Sequence, residues 1–376
     1  MMEKFGLTES EAMARALDLA SAGWGRVSPN PLVGAVVVRE DQIVGEGFHA
    51  SLGAVHAEVA ALTAAAERAA GGTMFVTLEP CRHHGRTPPC SAAIIAAGIR
   101  RVVYAVSDPT ETAGGGAAEL RTAGVEVSSG LMTVEAVRLN APFLWQAQSS
   151  RPFVALKLAL SADGAIAAAP GQRTQISGPE AWAEVHRLRA GVDAILVGRR
   201  TVDIDDPLLT PRGKPLPRVN PLRVVLDASA GLDVECALVR SAREDEMLVI
   251  TSPDAPEERV DDLTRAGVKV SAVSYAVNGI LDLDAVLGEL SVRGIQSVLI
   301  EGGARIATSF LEAGLVERFH EFVGPVEFGS GALAGPSNTP ANRPEGWRLV
   351  LTTAVGDDRY RMWERVEAFN RLMDAA

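Results

Sequence analysis

The sequence predicts two α/β domains in tandem, spanning residues 1–147 and 150–376. Three features carry this reading. Short β-rich runs alternate with helical ones, the pattern of a sheet with parallel portions. The alternation runs through twice, and the polar, proline-ended stretch QAQSSRP (146–152) separates the two series. A chain of 376 residues also has the length for two or three cores of roughly 100–200 residues each.

In order, MMEKFGLTESEAMARALDLA reads as an amphipathic helix. PLVGAVVV and QIVGEGF are strands joined across the turn REDQ. HAEVAALTAAAERAA is an alanine-rich helix stopped by Gly71-Gly72, and TMFVTLEP a buried strand. SAAIIAAG is a helix ended by Gly98. RRVVYAVSD, AAELRTAG and VEVSSG follow as strand, helix and strand, and the first unit closes near Trp145. The second series opens with the strand PFVALKLALSADGAIA, a helix around PEAWAEVHRLRAG and the strand VDAILVG. LRVVLDAS, EMLVITS, VKVSAVS and SVLIEGG are further strands, and IATSFLEAGL is a helix. The Gly/Pro-rich segment 324–346 is a long loop.

An apolar fraction of 47% with mixed charge marks an ordered, globular chain. A net charge of −11 argues against a broad nucleic-acid surface and points to small-molecule ligands. No apolar run reaches the ~20 residues of a membrane span. The acid-bearing first helix lacks the profile of a secretory signal. Three cysteines cannot build a disulfide framework, so a cytoplasmic protein is expected.

Two of those cysteines lie in VTLEPCRHHGRTPPC (76–90), with eight residues between them. His56-Ala57-Glu58 opens a helix directly after a loop, Cys81 ends a strand and Cys90 opens the next helix. One imidazole and two thiolates so placed can supply three tetrahedral zinc ligands, leaving the fourth position for water. Helix N-termini favour the thiolate form. Glu58, two residues beyond His56, can stand beside that water and shuttle its proton. The competing reading is a pair of buried cysteines beside a solvated, basic loop. H-A-E followed by P-C and a second cysteine is the signature of zinc-dependent nucleobase deaminases, with two residues rather than eight between the cysteines. The longer insertion carries Arg82, His83, His84 and Arg86, a local anion-binding set on an acidic chain.

In PFVALKLALSADG, Lys157 shares one strand face with Phe153, Ala155 and Ala159. A lysine there either snorkels out at the strand end or faces a substrate hydroxyl, with Asp205 or Glu301 as counter-charge. Gly302 and Gly303, between a strand and a helix, let a pyrophosphate approach the N–H groups at the helix start. The G-x-G-x-x-G fingerprint is absent.

HAEV, VTLEPCRHHGRTPPC and SPNPLVGAVVV resemble the deaminase half of the bifunctional riboflavin-biosynthesis deaminase/reductase family. Segments of the second series resemble its reductase half. The resemblance implies a cytidine-deaminase-like domain followed by a dihydrofolate-reductase-like domain. It implies one zinc ion per chain and NADPH. The expected chemistry is hydrolytic loss of an amine from a diaminopyrimidine carrying phosphoribosylamine, then reduction of the ribosyl group to ribityl. By this resemblance His56, Cys81 and Cys90 hold zinc, and Glu58 is the proton donor. Asn30 and His49 contact the pyrimidine, and His83 and Arg86 its phosphate. In the second half Lys157 is expected to be catalytic. Ala159, Thr201, Asp205 and the stretch Gly303, Ala304, Arg305, Ile306, Ala307, Thr308 and Ser309 are expected to contact NADPH. Arg189, Leu209, Arg212 and Glu301 are expected to contact the ribosyl phosphate. The partners expected are phosphorylated pyrimidines and copies of the chain itself, without nucleic acid or membrane.

The sequence departs from the family at three places. Asp108-Pro109-Thr110-Glu111 stands where the family reads D-P-N-P and is one residue shorter. Arg173 and Gln175 replace a common serine and tryptophan, and Ala228 follows Asp227 where serine is usual. The departures at 173–175 leave open a deaminase with a degenerate or regulatory second half. A deaminase acting on nucleic acid is opposed by the net acidity and the lack of aromatic-interleaved basic patches.

Overall fold

A computed structural model describes residues 6–83, 88–275 and 280–376. The chain divides between Gln148 and Ser149 into two units, and Asn370–Ala376 belong with the first.

In the first unit, β1 (Gly34–Arg39) pairs antiparallel with β2 (Gln42–Phe48) and β3 (Thr73–Leu78). Parallel pairing continues from β3 to β4 (Arg101–Val106) and β5 (Glu126–Ser129), giving the order β2-β1-β3-β4-β5. The central strands are unbroken apolar runs because helices cover both faces, so alternation is lost. The helices are α1 (Glu9–Ser21), α2 (Ala57–Ala65), α3 (Cys90–Ala96), α4 (Gly116–Thr122), α5 (Thr133–Leu139) and α6 (Ala141–Gln146). The first helix starts at Glu9, later than the sequence pattern suggests. Thr8 caps it, and Glu11 completes a reciprocal capping box. Gly45 and Gly47 of β2 let α2 descend onto the sheet. A Cβ at either would meet an Ala61 backbone atom at 2.3 or 2.4 Å. This contact sets the height at which α2 presents His56 and Glu58.

The second unit is built on a nine-stranded sheet ordered β11-β10-β9-β8-β12-β6-β13-β16-β15. Its strands are β6 (Phe153–Leu160), β8 (Ala194–Gly198), β9 (Leu222–Leu226), β10 (Met247–Thr251), β11 (Lys269–Ala272), β12 (Ser297–Ile300), β13 (Arg318–Val323), β15 (Trp347–Val355) and β16 (Asp358–Arg365). Pairing is parallel from β11 through β13 and antiparallel thereafter. The helices are α7 (Pro179–Ala190), α8 (Arg199–Asp205), α9 (Ala237–Arg240), α10 (Glu257–Ala266), α11 (Leu283–Val292), α12 (Ala304–Glu312) and α13 (Val366–Asp374). The expected loop 324–346 contains a short strand, β14 (Leu333–Ala334), paired with β7 (Ala165–Ala167). The β15–β16 hairpin and α13 were not indicated by the sequence pattern.

The division departs from the expected span 150–376 in its closing residues. The Ser107 N–H donates to the Ala376 carbonyl at 2.9 Å. Arg371 bonds the Gln148 carbonyl and lies 5.7 Å from the Trp145 ring, while Leu372 is fully buried. These contacts draw the last part of α13 into the first unit. No helix among the described residues is long and apolar enough to cross a membrane.

Candidate active sites

His56 caps α2 with its backbone alone, which frees the imidazole, and Cys90 is the first residue of α3. Cys81 follows β3 across Glu79-Pro80. His56 Nδ1 lies 3.2 Å from Cys90 Sγ and 3.5 Å from Cys81 Sγ, and the three ligand atoms fall within 4.8 Å of one another. No fourth protein ligand joins them among the described residues. Bonding from Cys90, then from His56, pulls Cys81 down to about 4 against the effect of burial. Cys90 is pushed up by Cys81 and by burial. Glu58 is buried beside the cluster. Burial, helped by the Cys81 charge, pushes its carboxyl up to about 7.

Two expected pyrimidine contacts adjoin this cluster. His49 Nδ1 is 3.2 Å from the Val55 carbonyl, and Asn30 Nδ2 is 3.1 Å from His49 Nε2. Together these bonds fix the tautomer, with Nδ1–H donating and Nε2 accepting. The His49 ring meets that of His56 edge-on at 5.8 Å, and burial lowers its pKa. His83 is exposed; Arg86 and His84 lie outside the described residues.

Glu79 was not singled out from the sequence. One carboxylate oxygen accepts from the Gly115 and Ala117 N–H groups at 3.1 and 2.9 Å, the other from Asp108 at 3.3 Å. It ties the strand end that carries Cys81 to the start of α4. Gly116 packs so closely there that a Cβ would sit 1.9 Å from the Pro80 carbonyl oxygen. The variant loop 108–111 closes on itself, with Asp108 accepting from the Thr110 N–H and hydroxyl. The signal for Glu79 was a carboxylate ending an apolar strand one residue before Pro80-Cys81.

In the second unit, Lys157 lies on β6, and Glu301 follows β12. Burial works to lower the Lys157 pKa and prevails, with Arg189 adding to it and Glu301 and Asp205 opposing. Arg189 and Glu301 are both expected to contact the ribosyl phosphate. The two form one bidentate pair, Nε–Oε1 2.6 Å and Nη2–Oε2 2.9 Å. Arg212 engages His186 through its backbone N–H (3.2 Å to Nδ1) and has Nε 3.3 Å from Nε2. Burial, then the charges of Arg189 and Arg212, bring His186 down to about 4. Leu209 is buried at a positive φ of 54°. Burial raises Asp205, with Arg173 and then Lys157 pulling it back, so the unexpected arginine does face this site.

The N-terminus of α12 has no side-chain cap, which leaves the first N–H groups available to a phosphate. Gly303, the N-cap of α12, lies beside Thr201, whose Oγ1 would be 3.9 Å from a Cβ at that position. Ala159 is half-buried on β6, Ala304, Ile306, Thr308 and Ser309 are half-buried on α12, and Arg305 is exposed. Ala307 departs from the expected contact set. Its methyl is in the core, and its N–H is spent on the Gly303 carbonyl.

Residues 7–106 match the model of the cytidine and deoxycytidylate deaminase zinc-binding region, and residues 152–358 that of the RibD C-terminal domain. The riboflavin biosynthesis protein RibD of Actinobacillus pleuropneumoniae is 41% identical over 358 residues, covering 94% of either chain. That of Escherichia coli K12 is 41% identical over 334 residues, covering 85% of this chain and 88% of its own. The chain belongs to the RibD family. Among solved structures, RibD of Acinetobacter baumannii superposes with a TM-score of 0.81 at 34% identity, covering 94% of this chain and 98% of its own. A Thermotoga maritima protein described as a diaminohydroxyphosphoribosylaminopyrimidine deaminase/5-amino-6-(5-phosphoribosylamino)uracil reductase gives 0.80 at 34% identity, covering 95% and 98%. Both halves of RibD are therefore present, and the chain is a deaminase and a reductase of riboflavin biosynthesis with zinc and NADPH as cofactors. The structure suits both cofactors. Two sulfurs and an imidazole converge on one point in the first unit, and the start of α12 has no side-chain cap in the second.

Proposed function

We propose that the first site hydrolyses 2,5-diamino-6-(5-phosphoribosylamino)pyrimidin-4-one to the uracil, and that the second reduces that product's ribosyl group to ribityl. The observation that carries this reading is the buried Glu58 carboxyl beside the converging His56, Cys81 and Cys90. Zinc held by those three residues supplies Lewis acidity and water activation. Glu58, with its carboxyl near neutrality, carries a proton from the water to the departing amine, so that water and amidine become carbonyl and ammonia. Asn30, held by His49, contacts the pyrimidine edge, and His83 and Arg86 take the phosphate.

In the second site NADPH supplies the hydride. Lys157 delivers a proton to the ribosyl ring oxygen as its bond to C1′ opens, leaving C1′ to accept the hydride. Thr201, Asp205 and the start of α12 position the cofactor. Leu209, Arg212 and the Arg189–Glu301 pair take the ribosyl phosphate. A cytoplasmic homo-oligomer acting only on small phosphorylated pyrimidines completes the reading, and light scattering tests the oligomer. The central experiment is chromatography of the products with NADPH withheld and then supplied. Accumulation of the uracil followed by its conversion to the ribityl compound is expected. Reduction preceding deamination, or no NADPH oxidation with the uracil, overturns the proposal.

A further inference from the structure

Trp182 sits on α7, a helix that buries Ala181, Val185, Leu188 and Ala190. Trp182 itself stays 37% exposed. Its ring centroid is 5.5 Å from Lys157 Nζ, and the Phe322 centroid is 5.9 Å away from the same nitrogen. Phe322 is fully buried and stacked on Tyr360 at 4.7 Å, so one of the two rings is fixed by the core. The ammonium is bracketed by two aromatic faces, within the range of a cation–π contact.

The surrounding charges explain why such a contact matters. Glu301, after β12, favours the ammonium but is already paired with Arg189 of α7. Asp205, closing α8, is shared with Arg173. On β13 the residue in register with Lys157 is His320, bonded to the Tyr360 hydroxyl at 2.7 Å and held neutral by burial. His186 of α7 is neutral at ordinary pH. Burial and Arg189 both oppose a charge on Lys157. An indole face stabilises a cation without adding a further titrating group.

We propose that Trp182 is a positioning residue of the reductase, its indole holding the Lys157 ammonium charged and aimed for proton delivery. The inference rests on the reading of Lys157 as proton donor. A donor must be protonated, so reduction falls as pH rises through the Lys157 pKa. Removing the indole lowers that pKa and brings the fall to lower pH, by roughly half to one and a half pH units.

The test is the pH profile of NADPH oxidation by the full-length protein with the uracil substrate, for wild type, Trp182→Leu and Trp182→Phe. The Leu variant should show the alkaline limb shifted down and the Phe variant an intermediate position, both with wild-type NADPH affinity by fluorescence. A Leu variant whose limb stays at the wild-type pH, whatever its rate, overturns the proposal. Should the Leu variant fail to bind NADPH, the Phe variant decides, since it keeps an aromatic ring in place; an unshifted limb there overturns it equally. Lys157→Met separates the two layers. If it reduces at the wild-type rate, the reading of Lys157 has failed; if it is inactive while the Trp182 limbs are unmoved, only the role of Trp182 has failed.

Discussion

Arg189 and Glu301, 112 residues apart, face each other as a two-bond ion pair with both side chains less than a tenth exposed. The pair lies beside Lys157, where burial alone would raise the Glu301 carboxyl; Arg189 and Lys157 outweigh it and hold the carboxylate ionised. Glu301→Gln leaves the Arg189 charge buried and unpaired, and a loss of about 3–5 kcal/mol is expected. Denaturant unfolding of the second unit measures it. The double variant Arg189→Met/Glu301→Leu should recover much of that stability while remaining unable to reduce substrate.

Cys81→Ser and Cys90→Ser each remove one of three convergent donors. Both variants should lose zinc and deamination while still oxidising NADPH when the deaminated, ribosyl-bearing product is supplied directly. Metal analysis by mass spectrometry checks the first point, and full zinc in either variant refutes the ligand set.

Glu58→Gln keeps the shape of the side chain and removes its ability to move a proton. Zinc content should be unchanged, with deamination slowed on the order of 10²–10⁴-fold, the usual worth of a positioned acid–base group. Single-turnover kinetics with zinc measured in the same sample tests both halves of that statement.

Glu79 acts at a distance from any reacting atom. Glu79→Gln replaces one of its acceptor oxygens with an NH2 group, which can only donate, loosening the loop against which Cys81 is set. Zinc affinity should fall about tenfold, the lower end of what outer-shell changes cost. Competition with a chelator reads it directly. Unchanged affinity would make Glu79 a simple helix cap.

His186 gives the second unit a pH dependence of definite sign. Its folded pKa, about 4, lies below the 6.5 of an unconstrained histidine, so the unfolded chain binds more protons between those values. The stability tied to the neutral ring is present above about pH 6.5 and is lost as pH falls toward 4. His186→Gln should flatten that part of the stability profile, measured by thermal unfolding across the interval.

The zinc cluster was legible in the sequence because each ligand marks the end of an element: His56 before a helix, Cys81 after a strand, Cys90 at a helix start. Local signals of that kind survive without knowing the tertiary packing. The partners of Glu79 lie 29 to 38 residues away and are backbone groups, which leave no trace in residue identity. Arg189 and Glu301 were both singled out, yet nothing in one dimension shows that they satisfy each other. Nothing in the helical segment PEAWAEVHRLRAG marks Trp182, whose partner Lys157 lies 25 residues away on another element. The β15–β16 hairpin is hard to read because β15 is an edge strand exposed over most of its length, so its apolar residues do not mark a buried face.

Residues 370–376 are translated after all of 149–369, yet they belong to the unit formed by the first 148 residues. The segment synthesised first is thus the last to acquire all its parts. While the ribosome is still making the reductase sheet, the deaminase lacks the buried Leu372 and the backbone bond to Ser107. A stop codon after Phe369 would therefore leave the reductase unit whole yet be felt in the deaminase, and a gene cut at residue 148 would release an unfinished one.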